Sequence, residues 1–416
     1  MSDVENLRAV KGQEGQAAPV MRADESRVLA PLSCCRWKRR AWFPIKMVIG
    51  MALSQVLLGS VLLLGWIYRL MQRSVLKRWW QLSSERERGV SFMEFALGGT
   101  HTKQHVAWPN FVLGQNGYPR GELARSSNIL ARISVIVGHL TRSFRLNWRL
   151  GFQGILTTWS LTLPACLLWL FAWYDGWNNS FNKGYEQAVV GPLVFILGMV
   201  LFVAAMLYVP MAQARFASTS SWRSFFQFRL VWRLVRQEWL GCLFLAGLYA
   251  LMAFPVNVIK TMPEFFPQMK PELELLSAED AVYFLKVYFF WTMALVLPLL
   301  VLLRMIAARI YASGIVRALR RGVITEEELA ENEWESLHRL SLLKSPEPVR
   351  HHIIVKMIAW IATRAGRITS ALVIGAFWFL FVFQILVGEF MNFHPFVGWL
   401  NQPLVQLPWF RYLPWI

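Results

Sequence analysis

The hexapeptide Arg-Leu-Asn-Trp-Arg-Leu at residues 145–150 returns as Arg-Leu-Val-Trp-Arg-Leu at residues 229–234. An Arg-Ser-Phe precedes each copy, at 142–144 and 223–225, and a long apolar run follows each. The next apolar run in each half closes on a related signature, Ala-Arg-Phe-Ala-Ser at 214–218 and Ala-Arg-Ile-Tyr-Ala-Ser at 308–313. A repeat limits the available architectures before any single residue does, because both copies must find the same kind of partner. One unit, a basic amphipathic helix plus two apolar runs, thus occurs twice in the same orientation.

The apolar runs decide the solvent. With 56% apolar and 14% aromatic residues, a soluble domain would aggregate, whereas a multi-span protein places that surface in lipid. The formal net charge of +18 fits either a nucleic-acid binder or a membrane protein with basic flanks. Here the Arg residues crowd the ends of apolar runs, the pattern of segments facing anionic headgroups, so no nucleic-acid partner is expected. The 4 cysteines form no framework. Cys166 and Cys242 lie inside apolar runs, where they should pack as small hydrophobes, and Cys34 and Cys35 are read as plain thiols.

Periodicity divides the chain as follows. Residues 1–41 read as a disordered tail. Residues 42–72 hold the first membrane helix, with an apolar run at 47–68 whose Gly50, Gly59 and Gly65 would admit a closely packed neighbour. Residues 73–131 form a cytoplasmic loop region punctuated by Gly and Pro, without the alternation a sheet requires. Residues 132–221 are the first membrane repeat and 222–324 the second. In each, an interfacial helix precedes two spans, at 151–173 and 188–209 and again at 240–259 and 282–303. Residues 325–348 read as a cytoplasmic acidic helix, opened by a capping box of Thr325 and Glu328 and ended by Pro346 and Pro348. Residues 349–389 hold a basic helix and the last span, and 390–416 an interfacial tail rich in Trp, Phe and Pro.

Charge sets the orientation. The connections 175–187 and 260–280 are poor in Lys and Arg, while 132–150, 210–238 and 304–367 are rich in Arg, so the latter belong in the cytoplasm. The first run breaks this pattern, because Arg36, Lys38, Arg39, Arg40 and Lys46 precede it and Arg69, Arg73, Lys77 and Arg78 follow it. It either spans with a basic N-terminus outside or bends back. A true span is the expectation.

Signals for chemistry are sparse. His101 and His105 stand four apart but lack the glutamate and third ligand of a zinc site, and His351 and His352 sit beside Arg350 as a solvated or headgroup-contacting pair. No phosphate loop, dinucleotide fingerprint or nucleophile elbow occurs. Neither a catalytic residue, a metal nor a cofactor is therefore expected. The carboxylates of 326–335 have the density of a solvated helix face. Pro164, Pro255 and Pro298 lie within spans as kinks. Lys286, Gln55, Asn257 and Gln384 are the polar residues a transport pathway would use, although snorkelling and helix–helix hydrogen bonds account for them equally. The best candidate site is the repeated hexapeptide. Arg145 and Arg149, like Arg229 and Arg233, stand one helical turn apart, beside Trp148 and Trp232. Two guanidinium groups over an indole suit a lipid phosphate, and ordinary Arg-rich cytoplasmic flanks after duplication would leave the same trace.

The stretch Tyr-Val-Pro-Met-Ala-Gln-Ala-Arg-Phe-Ala at 208–217, followed by Trp-Arg-Ser-Phe-Phe at 222–226 and by Phe228 and Arg229, resembles an uncharacterised class of bacterial multi-pass membrane proteins of the domain-of-unknown-function type. In that class a span ends in a Tyr-x-Pro-Met-Ala signature, followed by an aromatic and basic helix and another span. The resemblance covers at most residues 142–318 and implies a bacterial inner-membrane location. It implies no activity, substrate or site residue, and neither 69–131 nor 326–335 has a counterpart in it.

The expected fold is an all-α integral membrane protein with about six transmembrane helices, built on two tandem parallel repeats of interfacial helix plus two spans. The expected function is that of a non-enzymatic scaffold or accessory subunit. Its basic helices would contact anionic lipid in the bilayer or a membrane-protein partner. A transporter or channel with a pathway between the repeats is the rival, and a membrane-embedded enzyme comes third.

Overall fold

The computed structural model describes residues 36–99, 108–109, 118–172, 190–343, 353–377 and 408. These residues are 87% helical and contain no strand, so the fold is all-α. In chain order the helices are α1 (Arg36–Ser54), α2 (Leu57–Leu82), α3 (Phe92–Gly98), α4 (Arg120–Arg125), α5 (Ile129–Phe171) and α6 (Val190–Thr219). There follow α7 (Phe228–Gln237), α8 (Trp239–Met269), α9 (Ala278–Arg320), α10 (Glu331–Arg339) and α11 (Ile353–Phe377). Three stretches, Gly191–Thr219, Trp239–Val256 and Ala278–Arg320, are long and apolar enough to cross a membrane.

The first apolar run is not one span. Helix α1 breaks at Gln55 and Val56, where Val56 takes an extended conformation at φ −120°, and α2 returns beside it. Three contacts establish the reversal. A Cβ on Gly59 would overlap the Leu53 carbonyl. Met47 and Met51 share an apolar cluster with Leu63 and Ile67. Lys46 lies within electrostatic reach of Arg73, although a straight helix would hold the two about 40 Å apart. The basic flanks that both demanded the same side therefore occupy the same end of a helical hairpin. The expected true span is corrected by this turn. The expected tail is also shorter, because residues 36–41 already belong to α1.

Helix α2 is the centre of the molecule. Most of its circumference is buried, including Val61, Leu63, Leu64, Ile67, Tyr68, Met71 and Trp79, while Leu62, Trp66, Leu70 and Arg73 form a half-buried stripe along the remaining face. It packs against α5, α6 and α9 and reaches Leu82, ten residues past the boundary expected for the first membrane helix. Glycines set the approach to α5. A Cβ on Gly65 would overlap the Asn147 backbone, and one on Gly151 would overlap the Val61 carbonyl. Of the glycines expected to admit a neighbour, Gly65 receives another helix and Gly59 the chain's own turn.

The basic segment of the first repeat is not a separate interfacial helix. It is continuous with the apolar stretch that follows, in the 43 residues of α5, about 65 Å at helical rise. The second copy is interrupted. A 3-10 turn at Trp222–Phe226 and the short α7 precede an elbow at Glu238. Helices α8 and α9 also run beyond the expected connection, which shrinks to 270–277 around a 3-10 turn at Pro271–Leu275. Ser277 caps α9 by accepting from the Asp280 N–H at 3.2 Å, and Arg317 and Arg320 lie in its last turn, both favourable to the helix dipole.

The acidic segment starts with a 3-10 turn at Glu326–Glu328, and its helix proper is the nine-residue α10. Of the expected capping box, the Thr325 N–H donates to Glu328 Oε2 at 3.1 Å. Residues 344–352, with Pro346 and Pro348, lie outside the described residues, as do 100–107, 173–189, 378–407 and 409–416. The expectations for His101, His105, His351, His352, Gln384 and most of the aromatic tail fall there.

The hairpin has a direct test. With the native cysteines replaced by serine, Lys38→Cys and Lys77→Cys should react with an impermeant maleimide from the same side of sealed vesicles. Labelling from opposite sides would restore the single span.

Candidate functional site

The repeated hexapeptides lie in the same phase against the protein. Arg145 and Arg229 are exposed, Trp148 and Trp232 half-buried, and Leu150 and Leu234 buried. Their fourth-residue partners differ. Arg149 is exposed on α5. Arg233 is turned inward: it donates to the Val323 carbonyl at 2.9 Å and forms an ion pair with Glu328. A two-guanidinium clasp is thus open in the first copy and closed in the second. Trp148 stacks on Phe152 with centroids 6.5 Å apart, whereas Trp232 tilts against Tyr208 at 5.8 Å.

Below α7 the ends of the two halves meet in a buried polar cluster that the sequence reading did not assemble. Arg215, from the first span-end signature, is 1% exposed. Its Nε donates to Gln227 Oε1 at 2.6 Å, one terminal nitrogen to the Tyr311 hydroxyl at 3.3 Å, and the other to the Glu328 carbonyl at 3.1 Å. Glu333 Oε2 lies 3.3 Å from the guanidinium, and Tyr311, from the second signature, donates to Glu333 Oε1 at 2.5 Å. Glu333 is fully buried, so the expectation of a wholly solvated acidic face is corrected. An ionised carboxylate tolerates burial only when paired and hydrogen-bonded, as this one is. The neighbouring contacts tie down the same end. Asn332 donates to the Ser218 and Thr219 carbonyls at 3.1 Å, capping α6. The Trp79 indole donates to the Ala312 carbonyl at 3.0 Å, and Arg78 to Ser313 Oγ at 3.0 Å.

A spacing signal for Glu333 was present. Glu333, Ser336, Leu337 and Leu340 recur at three and four residues and share the buried face of α10 and its end. Charge density alone had masked it.

A second buried polar group sits deeper. Gln213 donates to Thr158 Oγ1 at 3.0 Å, the Tyr68 hydroxyl adjoins Thr158, and the buried Arg304 lies within electrostatic reach of Tyr68 and Tyr249. Helices α2, α5, α6, α8 and α9 each contribute one of these side chains. Arg69 anchors another knot, donating to the Pro109 carbonyl, Ser143 Oγ and Asn147 Oδ1 at 3.0–3.2 Å.

Of the polar residues considered for transport, Gln55 and Lys286 line one open cleft of about 610 Å³ at the hairpin turn, with Val56, Tyr283, Phe290 and Trp291. The side chain of Asn257 lies outside the described residues. Cys166 and Cys242 are buried and free, as expected of small hydrophobes. Among the described residues, no three His, Cys, Asp or Glu side chains form a group that could hold a metal ion.

The chain matches no protein-family model, no curated protein and no solved structure.

Two predictions follow from the paired charges. Glu333→Ala strands Arg215 in the interior and should cost about 3–5 kcal/mol, whereas Arg215→Met combined with Glu333→Leu should recover most of that loss. Denaturant titration in detergent checks this, and additive losses would show the two residues to be uncoupled. The second prediction concerns pH. The Arg233 guanidinium beside Glu328 holds its carboxyl below the usual carboxylate range. A carboxyl lowered by folding adds stability above its unfolded value, near 4.3 for Glu, and loses it as pH falls through the folded value. Glu328→Gln should therefore cost roughly 1 kcal/mol or less at pH 7, the scale of a half-exposed pair, and progressively less as the pH falls below about 4.3. Thermal unfolding across that pH range measures the difference.

Proposed function

We propose that this chain is a non-enzymatic membrane scaffold or accessory subunit whose Arg-rich end holds anionic lipid headgroups. The observation that carries the reading is the exposed face of α5. Ile133, Val137, Leu140 and Phe144 form an exposed apolar stripe, and Arg142, Arg145 and Arg149 stand exposed along the same segment. An apolar stripe of that length is unfavourable in water, and guanidinium groups beside it suit a surface that is apolar below and anionic above. Arg145, Arg149 and Arg229 have no acidic partner among the described residues, whereas Arg233 has one. The first copy of the hexapeptide is accordingly the lipid-contacting one.

The two-unit architecture with about six spans belongs to this proposal. It is supported by the shared phase of the two hexapeptides and by the three long apolar stretches. The likeness at 208–229 adds a bacterial inner-membrane setting, with the Arg-rich end in the cytoplasm by the positive-inside rule. Transport between the units is the weaker reading, because α2 packs against α5, α6 and α9 and occupies that space.

Lipid co-purification tests the proposal. Extracted with its native annulus in polymer nanodiscs, the wild-type protein should be enriched in anionic phospholipid over the bulk membrane. Arg145→Glu with Arg149→Glu should remove most of the enrichment, and Arg233→Gln little of it. Equal enrichment in all three would sink the reading.

A further inference from the structure

The elbow at residues 236–239, where α7 gives way to α8, is lined by charge from two other helices. Arg367 of α11 donates to the Arg236 carbonyl at 2.8 Å. Gly366 lets α11 lie directly on the elbow, since a Cβ there would stand 3.0 Å from the Trp239 ring. From the other side α9 brings Arg317 to Glu238 Oε2 at 2.7 Å and Arg321 within electrostatic reach of the same carboxylate. Arg236 itself is exposed. Arg317 and Arg321 thus act on the one carboxylate of the elbow, which Arg317 pairs, while Arg236 and Arg367 lie beside it without an acidic partner among the described residues.

Hydrogen bonding at the elbow is incomplete. Gln237 Nε2, Glu238 Oε1 and Arg367 Nε are buried atoms with no hydrogen-bond partner among the described residues. Buried polar atoms are almost always satisfied, and two of these three are donors beside an excess of positive charge. The depth is also defined. Trp239 opens the apolar stretch Trp239–Val256, and an indole at such a boundary lies at headgroup level.

We propose that this elbow is a binding site for a phosphate group, with Arg367 Nε and Gln237 Nε2 as buried donors and Arg236 as the exposed counter-charge. Guanidinium donors match the oxygens of a phosphate in a way a point charge does not. The phosphodiester of an anionic phospholipid and free phosphate share this chemistry. The site deepens the lipid reading above and rests on it for the membrane face, but it uses none of Arg145, Arg149 or Arg229.

The test is thermal unfolding of the full chain in dodecyl maltoside, titrated with phosphatidylglycerol, with diacylglycerol of the same chains, and with inorganic phosphate. Phosphatidylglycerol should raise the Tm saturably and diacylglycerol should not. Arg236→Gln with Arg367→Gln should weaken the phosphatidylglycerol response roughly ten-fold or more, the loss expected for charged hydrogen bonds. Arg145→Gln with Arg149→Gln should leave that response in place. A saturable shift with inorganic phosphate, abolished by the same elbow variant, would uphold the site with free phosphate as its ligand. Equal phosphatidylglycerol shifts in wild type and the elbow variant overturn the site. A shift lost only in the Arg145/Arg149 variant also overturns it, while leaving the broader lipid reading intact. Arg236→Gln alone carries the same comparison should the double variant not fold, because that side chain is exposed.

Discussion

A guanidinium shut away from water must be surrounded by acceptors, and Arg215 draws its acceptors from four separate parts of the chain. Gln227 comes from the turn before α7, Tyr311 from α9, the Glu328 carbonyl from the acidic turn, and Glu333 from α10. Removing any of these leaves a buried charge short of partners, a larger penalty than the loss of one hydrogen bond in water. The Arg-rich end is therefore specified as a unit. The two span-end signatures meet there because one supplies the cation and the other the hydroxyl that links it to Glu333. Asn332, one residue before Glu333, caps α6, so the same short helix that neutralises Arg215 also closes the helix carrying it.

Helix α2 imposes the complementary constraint. Its buried faces can carry polar residues only where neighbours satisfy them: Arg69 finds Ser143 on α5, Gln72 the Ser220 hydroxyl just past α6, and Trp79 the Ala312 carbonyl on α9. This explains why the first apolar run misled a reading from hydropathy alone. Residues 47–68 are continuous in composition, and the break at Gln55 and Val56 involves neither Pro nor Gly. Only the matched basic flanks pointed to a reversal, and they pointed correctly. Helices α6, α8 and α9 were legible because much of their surface is exposed and apolar, so composition and environment agree. For α2 they do not, since most of its surface faces other protein.

The candidate site was legible to a lesser degree, for a reason of range. Within six residues the two hexapeptides differ only at Asn147 and Val231, so their own sequence cannot distinguish Arg149 from Arg233. The difference lies in Glu328, 95 residues from Arg233. A carboxylate that distant in sequence leaves no local periodic trace. Glu333 was nearer to detection, since it sits in phase with Leu337 and Leu340 on one helical face.

The two hexapeptides meet different surroundings at this end of the molecule. At the second hexapeptide Arg233 pairs with Glu328, and beyond it the Arg236 carbonyl accepts from Arg367 of α11. The arginines of the first remain exposed on an unbroken α5. The interruption at Glu238 leaves an elbow around which Arg317 and Arg367 close. The break after the second hexapeptide is thus the main structural difference between the two segments.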